Sequence, residues 1–157
     1  MSAFEAKVLT VSDGVTHGAR EDLSGPALVA ALEAAGAKVV ERRICADGAT
    51  VVSAALAEMS KDFAGVVVST GGTGFAPRDE TPEGTRLVIE REAPGLAEAM
   101  RAISPLGRLS RGIAGIVGGC IIVNTPGSPK GCVEQLNAVI DVLPHAVALL
   151  NQSPTEH

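Results

Sequence analysis

The first half of the chain alternates short apolar runs with segments whose apolar residues recur every three or four positions. The runs at 6–12, 37–45 and 63–70 are rich in apolar and β-branched residues, which favours strands. The helical segments between them carry their apolar residues at Leu28, Ala31, Leu32 and Ala35, and at Val52, Ala55, Leu56 and Met59. Strands that alternate with helices predict right-handed crossovers and a mainly parallel sheet covered on both faces.

The second half of the chain is less regular, because glycine and proline interrupt it at 93–95 and 104–107. Two apolar runs, at 113–117 and 120–123, flank the glycine pair at 118–119. Two consecutive glycines suit the positive φ angles of a tight hairpin turn. The pattern therefore predicts one antiparallel hairpin at an edge of the sheet.

Three further helical segments complete the pattern. We expect short helices around Leu87 and at 97–103. A C-terminal helix is predicted from the apolar positions Leu136, Ile140, Leu143, Val147 and Leu150. Pro144 should kink this helix, and residues 153–157 should form a frayed tail. The whole chain, residues 1–157, is thus expected to be a single α/β domain.

Composition limits the classes of partner. The 13 basic and 18 acidic residues give a net charge of −5, and the chain has three phenylalanines but no tryptophan or tyrosine. A negative chain with few stacking rings is a poor binder of nucleic acid. The near-apolar stretch at 112–123 is too short and glycine-rich to span a membrane. No signal-peptide pattern precedes residue 6, and the three cysteines form no CxxC pair, so a reducing, cytoplasmic location is expected.

The most informative segment is STGGTGFAPRDETPE at 69–83, which follows an apolar strand. Its glycines would let backbone N–H groups approach an anion without a Cβ in the way. Thr81 is predicted as the N-cap of a helix, with Pro82 at the first helical position. Because a helix N-terminus carries partial positive charge, the segment predicts a phosphate-binding loop.

Polar residues also follow the other predicted strands. They occur at Ser12-Asp13, at Asp47 and at 124–130. The carboxyl ends of parallel strands meet at one edge of a sheet, so these segments should converge with the glycine loop on one ligand. The chain has neither the GxxxxGK[ST] motif nor GxGxxG spacing, so neither a P-loop nor a dinucleotide fold is indicated.

Each of these features also has a purely structural interpretation. Asp79 would be a surface helix cap or an ion-pair partner of Arg78, and Asp47 would form a turn with the glycine that follows it. The glycines at 71–74 and the PGSP segment at 126–129 would be tight turns. Phe75 would either stack on a ring or pack locally, and the three histidines, which lack a carboxylate partner at useful spacing, would have surface or packing roles.

Two signatures carry a family resemblance. STGGTGFAPRDETPE at 69–83 and NTPGSPKG at 124–131 resemble the paired signatures of the MogA/MoaB-type molybdopterin adenylyltransferases. VLTVSDG at 8–14, SGP at 24–26 and SRGIAG at 110–115 extend the resemblance over essentially the whole chain. It implies a three-layer α/β/α sandwich, assembly into homo-trimers or hexamers, and a late step in molybdenum cofactor biosynthesis that uses ATP and Mg²⁺.

By this resemblance, the terminal phosphate of molybdopterin attacks the α-phosphorus of ATP and pyrophosphate leaves. Asp47 and Asp79 match the family's two essential aspartates and are expected to be both catalytic and metal-binding, since Mg²⁺ commonly takes one or two carboxylates plus phosphate and water. The expected substrate- and nucleotide-binding residues are Ser12, Asp13, Gly71, Gly72, Thr73, Gly74, Arg78, Thr81, Pro82, Glu83, Ser110, Pro126, Gly127, Ser128 and Lys130.

Other functions remain open at this point. A non-catalytic molybdopterin-binding or scaffold oligomer of the MoaB type would use the same pocket. A molybdate-insertion enzyme is a third reading, although this chain lacks the additional domains of such proteins. An enzyme of that class is also an expected partner, alongside molybdopterin, ATP and further copies of this chain.

Overall fold

The sheet has six strands in the order β2-β1-β3-β6-β5-β4 in the computed structural model, which describes residues 3–152. The strands are β1 (Glu5–Val11), β2 (Lys38–Cys45), β3 (Gly65–Thr70), β4 (Arg91–Glu92), β5 (Ala114–Val117) and β6 (Cys120–Thr125). Strands β2, β1, β3 and β6 are parallel, whereas β5 pairs antiparallel with both β6 and β4. The predicted mainly parallel sheet with an antiparallel hairpin edge is therefore confirmed, and β4 adds a short strand outside the hairpin.

Helices cover both faces of this sheet. They are α1 (Asp13–Thr16), α2 (Ser24–Ala34), α3 (Ala49–Ser60), α4 (Thr81–Arg86), α5 (Pro94–Arg101), α6 (Pro129–Asn137) and α7 (Leu143–Leu150), and a 3₁₀ turn spans Pro105–Leu109. Within β3, Val66 and Val68 belong to the apolar cluster on one face of the sheet and Val67 to the cluster on the other face, because side chains alternate between the two faces along a strand. Leu32 of α2 packs in the first cluster and Leu56 of α3 in the second, which gives the three layers of an α/β/α sandwich.

The C-terminal segment differs from the prediction. It forms two helices, α6 and α7, separated by residues 138–142, instead of one helix kinked at Pro144. Pro144 lies in the first turn of α7, where its missing N–H removes no intrahelical bond. The predicted frayed tail at 153–157 lies outside the described residues.

The start of α4 is a second correction. Thr81 is its first residue, the N-cap is Glu80, and no side chain caps the helix. The Thr81 hydroxyl instead donates to the carbonyl oxygen of Gly71 at 2.9 Å. Because Thr81 lies inside the helix and Glu80 occupies the cap position, the predicted N-cap was wrong.

Two further segments differ from the prediction: the expected loop after β1 contains a helix, and the helix expected around Leu87 ends before that residue. Residues directly after β1 form the one-turn helix α1, capped by the Ser12 hydroxyl, which accepts from the backbone N–H of Val15. The short helix expected around Leu87 ends at Arg86.

Within residues 3–152, no helix has the length and apolar character needed to cross a bilayer.

Candidate functional site

A cavity of about 1260 Å³ opens at the carboxyl ends of β1, β3 and β6. Of the residues predicted from sequence, those that line it are Ser12, Asp47, Gly71, Gly72, Thr73, Gly74, Asp79, Ser110, Pro126, Gly127, Ser128 and Lys130. Asp13, Arg78, Thr81, Pro82 and Glu83 do not line it. The strand ends therefore converge as expected, and both aspartates reach one cavity.

Gly71 and Gly72 allow this convergence at the end of β3. Both have left-handed backbone angles, with φ of +100° and +70°. A Cβ on Gly71 would lie 2.2 Å from the carbonyl oxygen of Val11, and one on Gly72 would lie 2.2 Å from the Thr81 hydroxyl and 3.1 Å from Oδ1 of Asp47. No side chain fits at either position, so the ends of β1 and β3, the start of α4 and Asp47 meet around bare backbone.

Asp47 is held through an exchange of hydrogen bonds with Asp13. The backbone N–H of Asp13 donates to Oδ2 of Asp47 at 2.9 Å, and the N–H of Asp47 donates to Oδ1 of Asp13 at 3.1 Å. Arg78 donates to both carboxylate oxygens of Asp13, at 2.6 and 3.2 Å, and to the Asp47 carbonyl at 2.9 Å. Asp13 and Arg78 thus position Asp47 from outside the cavity. The interpretation of Asp79 as the ion-pair partner of Arg78 is therefore wrong, because Arg78 pairs with Asp13.

These contacts shift two carboxyl pKa values in opposite directions. The Arg78 guanidinium lowers the pKa of Asp13. Burial raises the pKa of Asp47, and the negative charges of Asp13 and Asp79 raise it further, against a lowering by the Asp13 backbone N–H. Asp47 is therefore a carboxylate whose surroundings disfavour its charge, which a bound cation would relieve.

Asp79 enters the cavity from a short loop that folds on itself. Its Oδ2 accepts from the backbone N–H of Ala76 at 3.0 Å, and its own N–H donates to the Ala76 carbonyl at 2.9 Å. A Cβ on Gly74 would stand 2.9 Å from the same Oδ2. The carboxylate of Asp79 therefore lies close against its own loop, and a side chain at position 74 would crowd it.

The two carboxylates suit a divalent cation that takes further ligands from elsewhere. Among residues 3–152, no hydrogen-bond donor is bound to Oδ1 of Asp47 or of Asp79. The same residues contain no group of three or more His, Cys, Asp or Glu side chains arranged to hold a metal. Two carboxylates without a full protein cage match the way Mg²⁺ is bound when phosphate and water complete its coordination.

The PGSP segment forms a further part of the cavity wall beside the glycine turn, and it bends into the start of α6. The Ser128 hydroxyl accepts from the N–H of Gly131 at 2.9 Å and caps α6. The Ser24 hydroxyl donates to the Gly127 carbonyl at 2.5 Å, and Thr70 donates to the Pro126 carbonyl at 2.7 Å. The turn is thereby fixed to α2 and β3, and it presents the N-terminus of α6 to the cavity.

Sequence reasoning missed two charged residues of the site. The Arg111 side chain, which lies behind the cavity wall, bonds the Gly74 carbonyl and the Glu83 carboxylate. Asp22 also lines the cavity, and its carboxylate accepts from Thr10, Gly25 and Arg42. An acidic residue three positions before Gly25 is typical of the cap at a helix N-terminus, and this pattern could have identified Asp22. For Arg111, the available signal was its position just before the predicted hairpin.

Apolar side chains complete the cavity. Leu23, Ile103, Leu106 and Leu109 line it, and all four are exposed. They were not predicted to line the site. Phe75 does not line the cavity and its side chain is 70% exposed, so the local-packing interpretation of that ring was wrong.

The sheet order and the polar cavity at the strand ends define the class as a three-layer α/β protein with a ligand site at the carboxyl edge. Residues 7–145 match the model of the family described as a probable molybdopterin binding domain, and the chain belongs to that family.

Relatives span most of the chain. It is 38% identical, over 96% of its length and 89% of the relative's, to a molybdopterin adenylyltransferase of Helicobacter pylori. It is 36% identical to the molybdenum cofactor synthesis protein cinnamon of Drosophila melanogaster, over 96% of this chain but 26% of that protein. The crystal structure of the molybdopterin biosynthesis enzyme MoaB from Thermus thermophilus is similar with a TM-score of 0.90 and 40% identity, covering 98% of this chain and 99% of that one.

Gly72→Ala should destabilise the protein more than Gly18→Ala does. Both glycines have similar φ angles, +70° and +76°, but a Cβ on Gly18 meets nothing within 4 Å. Gly18→Ala should cost about 1–2 kcal/mol for the left-handed backbone alone. Gly72→Ala should cost about 1–3 kcal/mol more, because the new methyl group overlaps Thr81 and Asp47. Urea unfolding measures both, and equal losses would contradict the close approach.

Asp47→Asn should raise stability at neutral pH. Because the pKa of Asp47 is raised in the folded state, ionising it disfavours folding; the penalty appears as pH rises through the ordinary carboxyl pKa and is complete above the raised one. Asparagine removes the charge and keeps an acceptor for the Asp13 N–H. The gain should vanish as pH falls below the ordinary carboxyl range, with the exposed substitution Asp141→Asn as control. A gain independent of pH would contradict the electrostatic cause.

Proposed function

We propose that this chain is a molybdopterin adenylyltransferase of molybdenum cofactor biosynthesis that uses ATP and Mg²⁺. The observation that carries the proposal is the presence of Asp47 and Asp79 in one cavity with the glycine loop at 71–74. The family to which the chain belongs and its similarity to a molybdopterin adenylyltransferase of Helicobacter pylori support the choice of substrate.

The proposed reaction is a nucleotidyl transfer without a protein nucleophile. An oxygen of the terminal phosphate of molybdopterin forms a bond to the α-phosphorus of ATP, the bond from that phosphorus to the bridging oxygen breaks, and pyrophosphate leaves. Negative charge develops on the phosphoryl oxygens, so preorganised donors and a cation supply the stabilisation. Mg²⁺, when bound by Asp47 and Asp79, would neutralise phosphate charge and orient the reacting groups.

The remaining residues of the cavity are assigned to binding and orientation. Backbone N–H groups of the glycine loop and of the start of α6 would hold phosphate oxygens, and Lys130 would add a positive charge. Ser12 and Ser110 would offer hydroxyl groups from two other walls. Asp13, Arg78, Thr81 and Glu83 act behind these residues, since the hydrogen bonds of their side chains go to protein groups and none of them lines the cavity.

We also propose that the functional unit is a single domain spanning 1–157 that works as a homo-trimer or a hexamer in the cytoplasm. Free Cys45, Cys120 and Cys132 suit a reducing compartment. A molybdate-insertion enzyme is the proposed recipient of the product, and the larger Drosophila relative, of which the matched region is a minor part, supports a close link between this domain and other steps.

The assembly is tested by light scattering with size-exclusion chromatography at micromolar concentration. A mass of three or six times 15.9 kDa is expected. A monomer across the concentration range would contradict the proposed assembly. It would not bear on the proposed reaction, which the adenylylation assay tests.

Asp79→Asn should lower adenylylation by at least about a hundredfold, because it removes a cation ligand next to the developing phosphoryl charge. The assay follows transfer from α-labelled ATP to molybdopterin, and exposed Asp141→Asn is the matched control. Near-normal turnover of Asp79→Asn would contradict the assignment of Asp79 as a cation ligand in the reaction. If the wild-type protein binds molybdopterin but forms no product with ATP and Mg²⁺, the protein is a binding-only member.

A further inference from the structure

We propose that Arg111 is the positioning residue that fixes the loop carrying Asp79 and thereby sets the site's affinity for its cation. This inference rests on the proposed function for its link to turnover. Arg111 itself does not line the cavity, so it acts through the loop and makes no contact with substrate there.

The guanidinium of Arg111 bridges both ends of the loop. Its Nε donates to the carbonyl of Gly74 at 2.8 Å and its Nη2 to the carbonyl of Asp79 at 2.5 Å. The same group pairs with the Glu83 carboxylate at 2.8 and 3.3 Å, and the Arg111 backbone N–H donates to the Thr73 carbonyl at 2.8 Å. One residue therefore ties the start of the loop, its end and helix α4 together.

Few other contacts hold this loop in place. The residues at 75–78 are all exposed, and the loop has no helix or strand bonding of its own. Arg78 bonds Asp13 and the Asp47 carbonyl, and Thr81 donates to the carbonyls of Gly71 and Gly72 at the base of the loop. The two bonds between Ala76 and Asp79 shape the loop internally. Since apolar burial contributes little here, the position of the Asp79 carboxylate depends on polar contacts, and among the described residues Arg111 is the side chain that bonds both Gly74 and Asp79.

Only arginine can make this set of bonds. Its planar group carries donors in a fixed fork, so it serves two carbonyls and one carboxylate at once. Lysine keeps the charge but offers a single ammonium group, which cannot span them. Glu83, predicted as a substrate ligand, instead completes the clamp, and the pKa of its carboxyl is lowered by the Arg111 hydrogen bonds.

The test compares Arg111→Lys with Arg108→Ala. Arg108 is exposed and lies three residues earlier, and among residues 3–152 its side chain bonds only the nearby Pro105 carbonyl. The first readout is amide hydrogen exchange of Ala76 and Asp79 in the protein without ligands, and the second is the Mg²⁺ concentration that half-saturates turnover. Arg111→Lys should speed the exchange by at least about tenfold and raise the half-saturating concentration by about ten- to a hundredfold, the range seen when supporting residues of metal sites are changed. Arg108→Ala should change neither.

Several outcomes would overturn the proposal. Unchanged exchange in Arg111→Lys refutes the clamp whatever happens to activity, and faster exchange with unchanged Mg²⁺ dependence refutes its role in cation affinity. If Arg111→Lys fails to fold, Glu83→Gln keeps the bonds to the carbonyls and should shift both readouts in the same direction by a smaller factor; no shift there refutes the proposal. A wild-type protein without turnover would reject the adenylyltransferase function, while the exchange measurement would still decide whether Arg111 holds the loop.

Discussion

The site depends on the close approach of backbone at the end of β3. Gly71 lies against the Val11 carbonyl, and Gly72 lies against Thr81 and Asp47, at distances that exclude any Cβ. This packing lets three chain segments deliver polar groups to one point without a side chain between them. Both glycines also line the cavity. The turn that allows this close packing is therefore at the same time part of the cavity wall.

The electrostatics of the site follow from that convergence. The charges of Asp13 and Asp79 add to the effect of burial in raising the pKa of Asp47, while Arg78 pairs directly with the Asp13 carboxylate. Arg78 and the Asp13 backbone N–H lower the pKa of Asp47, but the net shift is upward, so the surroundings of Asp47 still disfavour its charge. Carboxylates held near one another in this way gain most from a bound cation, because it relieves their repulsion and their desolvation together.

Much of the fold could be predicted from local pattern. The strands of the first half and the helices between them carry clear periodicity, and the glycine pair at 118–119 marked the hairpin. Pro144 was misread because a proline in a helical pattern fits a kink or a first turn equally well, and the choice depends on whether 138–142 stays helical. Thr81 was misread because its hydroxyl bonds Gly71, ten residues away, a tertiary contact that local capping rules do not include.

The candidate site was predictable where its residues stand at strand ends and unpredictable where they act through partners distant in sequence. Asp47 and Asp79 reach the cavity because topology brings their loops together, whereas the partner of Arg111 is a loop that begins 37 residues earlier. The cavity wall also carries the exposed apolar side chains of Leu23, Ile103, Leu106 and Leu109. A cavity that combines carboxylates and a glycine loop with such side chains suits a ligand that has both charged groups and poorly hydrated rings, because each part of the ligand then meets groups of matching polarity.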